Sequence, residues 1–409
     1  MDPTGSQNGG AKDMLSTVGY EELPWHIDPN ERDLIPRSAR RRMSATYQAA
    51  IPAAIANLSP AVPEATSARI DDLLMRLARF DEAQAARGYD LPALLLRSES
   101  AASSQIEHLT SSVRNVALAE LSNDAPANAR IVQGNVAAMR AALRLPPEIS
   151  IAQIKAIHRS LIEPTGASFG GELRDEQVWV GGTAYSPHGA LFVPPAPSRI
   201  TGCLEDLVAF VDRDDVSPIA KAAVAHAQFE TIHPFIDGNG RTGRVLLHRI
   251  LRNEGVLTRT TLPVSAGLLH DVDAYMKAIE AYQGGDYLPI VGSVLSALEL
   301  ALVIGGRVAG LIDDVMEDWR SAISERAGSA IWRLPSLLAE QPVVTIAYVA
   351  EHLSITSRAA STLVARACEY GMLRPLGSRR RGDFYQSDEL INVLEEISSM
   401  SGIRRMLVQ

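Results

Sequence analysis

Between Ser217 and Gly255 the sequence leaves the backbone few choices. Ser217 is a helix-capping residue and Pro218 suits a first helical position, so a helix starts there and runs through 220–230. Pro234 drives the residue before it out of the α region, which ends the helix near His233 and displays that histidine on a turn. Phe235 and Ile236 are apolar and are expected to anchor the turn in the core. Asp237, Gly238, Asn239 and Gly240 follow. Two glycines around an asparagine let successive N–H groups point one way, a nest that binds anions. A second helix is expected from about Gly240 through 245–251, stopped by Gly255.

The charges on this segment have a chemical meaning. Arg241 and Arg244 fall in the first turn of the second helix and, three residues apart, share a face. Cations there oppose the helix dipole unless a polyanion such as a phosphate chain sits between them and the backbone N–H groups. Asp237 adds a hard oxygen ligand, suited to Mg²⁺ that takes most of its ligands from substrate phosphates. His233 can accept a proton near neutral pH. Each residue has a plainer reading: a structural histidine, an ordinary Asp-Gly turn, a solvated pair of arginines. Those readings would all have to hold at once within one short stretch.

The rest of the chain reads as mainly α, because alanine is abundant and aromatic residues are only 5%. Residues 1–18 are expected to be a disordered tail, and 19–110 an N-terminal region that becomes helical at Ala45–Leu58 and Ser67–Ala85. A helical core follows over 111–305, then a linker helix over 306–330 and a separate module over 331–409. One break interrupts the core: Gln177–Val180 and Ala190–Val193 flank glycines and read as a small β-hairpin, ended by Pro194, Pro195 and Pro197. No signal peptide is expected at the start of the chain, where an apolar core after a basic start is missing. The apolar run 287–304 is interrupted by Pro289, Gly292 and Glu299 and reads as a buried helix rather than a membrane span. Two distant cysteines, Cys203 and Cys368, lack metal-ligand spacing, so a reduced, cytoplasmic protein is expected.

His233-Pro-Phe-Ile-Asp-Gly-Asn-Gly-Arg-Thr-Gly-Arg244 resembles the Fic motif, HxFx(D/E)GNGRxxR, at every specified position. Gly171-Glu-Leu-Arg174, Gln177-Val-Trp-Val-Gly-Gly182 and Phe192-Val-Pro-Pro195 resemble the Fic flap and its approach. The resemblance implies a Fic-type helical core and transfer of AMP from ATP, with Mg²⁺, to a Ser, Thr or Tyr hydroxyl of a target protein or of the chain itself. It makes His233 the general base and Asp237 the metal ligand. Gly238, Asn239, Gly240, Arg241, Thr242, Gly243 and Arg244 would bind ATP, with Arg244 on the γ-phosphate. Tyr275 would contact the adenosine, and the flap at Val193 would pair with the target backbone. Ser103-Ser-Gln-Ile-Glu107-His108 resembles the inhibitory motif (S/T)xxxE(G/N), with His108 in place of Gly or Asn. Glu107 would then pair with Arg244 and hold the site off.

The C-terminal residues read as a winged helix-turn-helix: a helix from Leu334, then helices at 345–353 and 357–370, then a hairpin from Leu373 to Gln386 whose wing carries Arg379, Arg380 and Arg381. Arg358, Arg366 and Arg374 add positive charge, so nucleic acid is one partner to consider, although the net charge of −9 argues against it for the chain as a whole. A homodimer is left open and no membrane partner is expected. The competing readings are a DNA-binding regulator with a vestigial Fic core, an enzyme that removes AMP, and one that uses another nucleotide donor.

Overall fold

The computed structural model describes residues 14–27, 35–84, 87–122, 124–376, 384–397 and 402–405. The chain does not begin as a free tail throughout the expected 1–18. Leu15 and Val18 are buried, and the Val18 N–H donates to the Gln283 carbonyl at 2.9 Å. Residues 1–13 lie outside the described residues. Strand β1 (Gly19–Pro24) pairs antiparallel with β2 (Thr46–Ile51), Gly19 opposite Ile51, with a single helical turn α1 (Arg37–Arg40) between them. This corrects the helix expected at Ala45–Leu58. The alanines there suit either period, Pro52 blocks a continuing helix, and β1 supplies the partner that decides for strand. The helix expected at Ser67–Ala85 is α2 (Glu64–Gln84).

The core is helical. It comprises α3 (Leu91–Ile106), α4 (Val113–Ala119), α5 (Ala127–Arg144), α6 (Ile151–Ile162), α7 (Ile200–Val211), α8 (Pro218–Ile232), α9 (Asn239–Asn253), α10 (Val264–His270), α11 (Val272–Gln283) and α12 (Leu288–Ala322). Helix α8 is buried along nearly its whole length and packs against α7, α9, α11 and α12. Its alanines at 220, 222, 223, 225 and 227 are fully buried, and side chains this small let neighbouring helices approach closely. Ser217 precedes α8 as expected but makes no capping hydrogen bond.

Helix α12 crosses the expected boundary between core and linker without a break. Gly305, at that boundary, lies where a Cβ would run into Leu262, so the glycine allows close packing instead of ending the helix. Among the described residues α12 is the one helix long and apolar enough to cross a membrane, and 56% of its most apolar window is buried within the fold.

Beyond it come α13 (Leu334–Glu340), β3 (Val343–Val344), α14 (Ile346–His352), α15 (Ser357–Glu369), β4 (Arg374–Pro375), β5 (Tyr385–Gln386) and α16 (Asp388–Ile397). The strands form an antiparallel sheet in the order β3-β5-β4. Thr345 and Thr356 cap α14 and α15 by accepting from Tyr348 and Ala359 N–H groups, and Gly371, at φ +76°, follows α15. Arg379, Arg380 and Arg381 lie outside the described residues. Arg366 is paired with Glu325 and Arg374 with Asp388.

Candidate active site

The loop between α8 and α9 is built from both sides. His233 ends α8 in the left-handed region, φ 50° and ψ 60°. A non-glycine residue there carries strain, of the kind that clusters at functional sites. Pro234 forbids the right-handed alternative. Arg174 holds the strained turn: its Nε donates to the His233 carbonyl at 2.8 Å, and its other nitrogens reach the Glu176 and Pro195 carbonyls. Phe235 is fully buried, whereas Ile236 is 41% exposed, so only the first of the two expected anchors enters the core. His158 stacks on Phe235, accepts from the Gly171 N–H and donates to the Asp237 carbonyl at 3.0 Å.

Asn239 does not offer its side chain to a ligand as an ATP contact would. Its amide is spent on both backbone groups of Phe235, at 2.8 Å each, and so closes the loop. The N–H groups at the start of α9 have no carbonyl within the helix to bond, which leaves them for an anion. Two further expected ATP contacts also face inward. Thr242 is fully buried, and a Cβ on Gly243 would lie 2.5 Å from Oε1 of Glu230, so that glycine makes room between α8 and α9.

The cations are arranged for an anion. Arg241 is 3% exposed and touches Asp237 at 3.4 Å, while its Nε and Nη1 are buried with no hydrogen-bond partner among the described residues. Such groups are rare unless a ligand completes them. Arg244 is equally buried, but two of its nitrogens have partners: Nε donates to Ser103 Oγ and Nη2 to the Ser103 carbonyl, at 2.8 Å each, and Nη2 also meets Glu107 Oε1 at 2.9 Å. The Glu107 carboxylate lies over Gly240, where a Cβ would collide with it. It thus stands at the start of α9, in the place of an anion. Burial alone would raise the Glu107 carboxyl, but Arg244, Arg241 and His233 outweigh it and hold the group below its ordinary value.

Glu107 ends α3, and His108 after it has φ 59°. The Leu109 N–H bonds the Ser104 carbonyl and the His108 N–H the Gln105 carbonyl, the Schellman pattern that asks for a left-handed residue in the position of His108. The structure thus supplies the reason a Gly or Asn belongs after this glutamate. His108→Gly is expected to stabilise the protein by about 1 kcal/mol, read as a higher denaturant midpoint.

A cavity of about 230 Å³ joins these parts. His233, Gly240, Arg244 and Glu107 line one part of it. Met276, Ile279 and Gln283 of α11, with Val180, Leu191 and Phe192 of the flap, line the rest. The sequence reading missed these six as site residues. Val180 and Phe192 lay in the segments that resemble the flap, whereas Met276, Ile279 and Gln283 offered only helical spacing and Leu191 only its place beside them. Tyr275 also lines the cavity, with its hydroxyl 2.8 Å from His226 Nε2. The flap is a minimal hairpin, reduced to two isolated antiparallel bridges, Val180 with Phe192 and Thr183 with Ser186. Its Val193 carbonyl is already taken by the Ala50 N–H of β2 at 2.9 Å, so that atom is not open to a target backbone. Trp25 packs edge-on to Trp179 and His188, which fixes the N-terminal ribbon to the flap.

His233 Nδ1 faces the Glu230 carbonyl at 3.3 Å, which puts the proton on Nδ1 and leaves Nε2 as the acceptor. Burial foremost lowers its pKa to about 4, and lowers His158 to about 4 and His226 to about 3. Each folded value lies below the unfolded one. The unfolded chain therefore takes up protons that the folded form refuses once the pH falls below about 6.5, and stability drops. Glu230 works the other way. Burial raises it to about 8, so the folded form keeps a proton there and gains stability as pH falls from about 8 towards the unfolded value. The balance is a net loss of roughly 3 kcal/mol between pH 7 and pH 5, measurable as a lower urea midpoint, and roughly 5 kcal/mol in Glu230→Gln, where the offset is gone.

Comparison with known proteins gives this geometry a family. The model of the Fic/DOC family matches residues 148–251. The protein adenylyltransferase fic-1 of Caenorhabditis briggsae is 32% identical over 158 residues, which cover 38% of this chain and 28% of that protein. The protein adenylyltransferase Fic of Drosophila erecta is 35% identical over 111 residues, covering 26% of this chain and 21% of that protein. The chain thus spans less than a third of the length of these relatives. In fold it is similar to a Fic family protein from Desulfovibrio desulfuricans G20, with a TM-score of 0.52 at 19% identity, over 80% of this chain and 97% of that one. The helical core with its small flap, the motif loop and these matches together make residues 148–251 of this chain a Fic/DOC-family domain.

Proposed function

We propose that the chain transfers AMP from ATP to a hydroxyl of a target protein or of itself, and that Glu107 holds the site off. The observation that carries this reading is the single cavity shared by His233, Gly240 and Arg244 at the start of α9, next to an apolar chamber of a kind suited to a nucleobase. The names of the relatives, protein adenylyltransferases, support it.

His233 Nε2 takes the proton of the acceptor hydroxyl, and the oxygen attacks the α-phosphorus as pyrophosphate leaves. The N–H groups at the start of α9 and the guanidinium of Arg241 meet the phosphates, whose charge balances the cations that otherwise oppose the helix dipole. The Asp237 carboxylate is 66% exposed beside this position, and the described residues hold no cluster of three metal-ligating side chains. A lone carboxylate of this kind fits Mg²⁺ bound mainly through phosphates and water, and the ion would neutralise phosphate charge. Arg244, once released, meets the γ-phosphate. While the Glu107 carboxylate meets it, the nucleotide tail finds both its cation and its place at Gly240 taken.

We read the C-terminal elements as a winged helix-turn-helix. The ion pairs that hold Arg366 and Arg374 leave less charge for nucleic acid, which favours a protein contact for that module. Incubation with labelled ATP and Mg²⁺, read by intact mass, tests the activity. A gain of one AMP on the Glu107→Gly chain is expected, and no mass gain with ATP in that variant overturns the reading.

A further inference from the structure

Glu230 has no part in the chemistry above, yet it lies inside the site. It stands one turn before His233 on α8 and lines the same cavity as Gly240 and Arg244. Its side chain is 13% exposed, and its Oε1 is buried with no hydrogen-bond partner among the described residues. The nearest ring nitrogen, Nδ1 of His226, is 3.9 Å away, beyond a hydrogen bond. Helix α9 is cut back for this carboxyl, since Gly243 leaves the space a Cβ would take from Oε1. Gly240 and Gly243 therefore make room for two carboxyls, Glu107 and Glu230, in the cavity that Arg244 also lines. A buried carboxyl oxygen without a partner is costly unless a ligand satisfies it.

The groups facing Glu230 are His226 on its own helix, Arg244 from α9, Tyr275 from α11 and Glu107 from α3, with His233 and Glu280 lining the same cavity. Burial dominates, with Arg244 lowering and Glu107 raising the carboxyl to a net value of about 8, so at neutral pH it carries a proton. An ionised carboxylate here would repel an anion. A protonated one donates to it without adding charge.

We propose that Glu230, in its acid form, donates a hydrogen bond to the β,γ-phosphate tail of the nucleotide donor beside Arg244. This rests on the nucleotide-donor reading above. Affinities for the non-hydrolysable analogue AMPPNP and for AMP, with Mg²⁺, measured by calorimetry in the Glu107→Gly chain from pH 6 to 9.5, test it. Glu230→Ala is expected to weaken AMPPNP roughly tenfold or more while leaving AMP unchanged. Glu230→Gln keeps a donor and should bind AMPPNP like its parent at pH 7, but without the parent's decline as the pH rises. Equal affinities for parent and Glu230→Ala overturn the proposal. So does an equal loss of AMP and AMPPNP, which assigns Glu230 to the nucleoside or to the fold. Failure of the parent itself to bind AMPPNP is a separate result, and it sinks the donor reading first.

Discussion

Glu107→Gly is expected to raise ATP-dependent self-modification by roughly ten- to a hundredfold. The carboxylate meets Arg244 at 2.9 Å and occupies the space over Gly240, so it blocks both the cation and the nest. A hydrogen bond to a charged group carries about 1.5–3 kcal/mol, and each 1.4 kcal/mol is tenfold in population or rate. The substitution leaves Ser103 in place, whose hydroxyl and carbonyl still hold Nε and Nη2. Arg244 therefore stays aimed and loses only its competing anion. Most of α3 is buried between its neighbours, whereas the Glu107 side chain at its end is 38% exposed, so release needs movement of the last turn alone. A rate equal to wild type, with ATP binding demonstrated, would remove the inhibitory role from Glu107.

His233→Ala, made in that released chain, is expected to lower the rate by a factor of about 10² to 10⁴. The residue is the one base in the cavity whose geometry leaves a nitrogen for the hydroxyl, because Nδ1 is committed to the Glu230 carbonyl. Its value of about 4 in the free protein means that it is neutral, and ready to accept, throughout the physiological range. Bound phosphates bring negative charge and push that value back up towards the working pH. ATP affinity should be little changed, since His233 acts on the acceptor. A parallel loss of ATP binding would show instead that the strained turn had collapsed. His233→Asn, which can take the same left-handed conformation, is the check: it should bind ATP and still be slow.

The site was more legible than the frame around it. The residues from Ser217 to Gly255 specify their own backbone: a proline, flanking glycines and helical runs on either side act over a few residues, so one helix ends at Ile232 and the next begins at Asn239. Glu107 and Arg244 could be paired only because both belong to a family pattern, for nothing local links residues so distant in sequence. Where the reading failed, a distant partner decided. Thr46–Ile51 is a strand because β1 lies beside it, and Val18 is held because Gln283 at the end of α11 accepts its N–H.

What the sequence by itself determined was the local chemistry: a histidine displayed on a turn after a helix, a glycine nest, and cations at a helix start that demand an anion. Local sterics and the dipole of a few residues fix such features. Only the tertiary structure decided what those groups face. Packing of α3 and α8 against α9 set one carboxyl on Gly240 and another on Gly243. It also turned the Asn239 side chain and Thr242 away from any ligand, and gave the Val193 carbonyl to β2. Burial and contact are sums over neighbours from every part of the chain, and no single stretch of residues contains them.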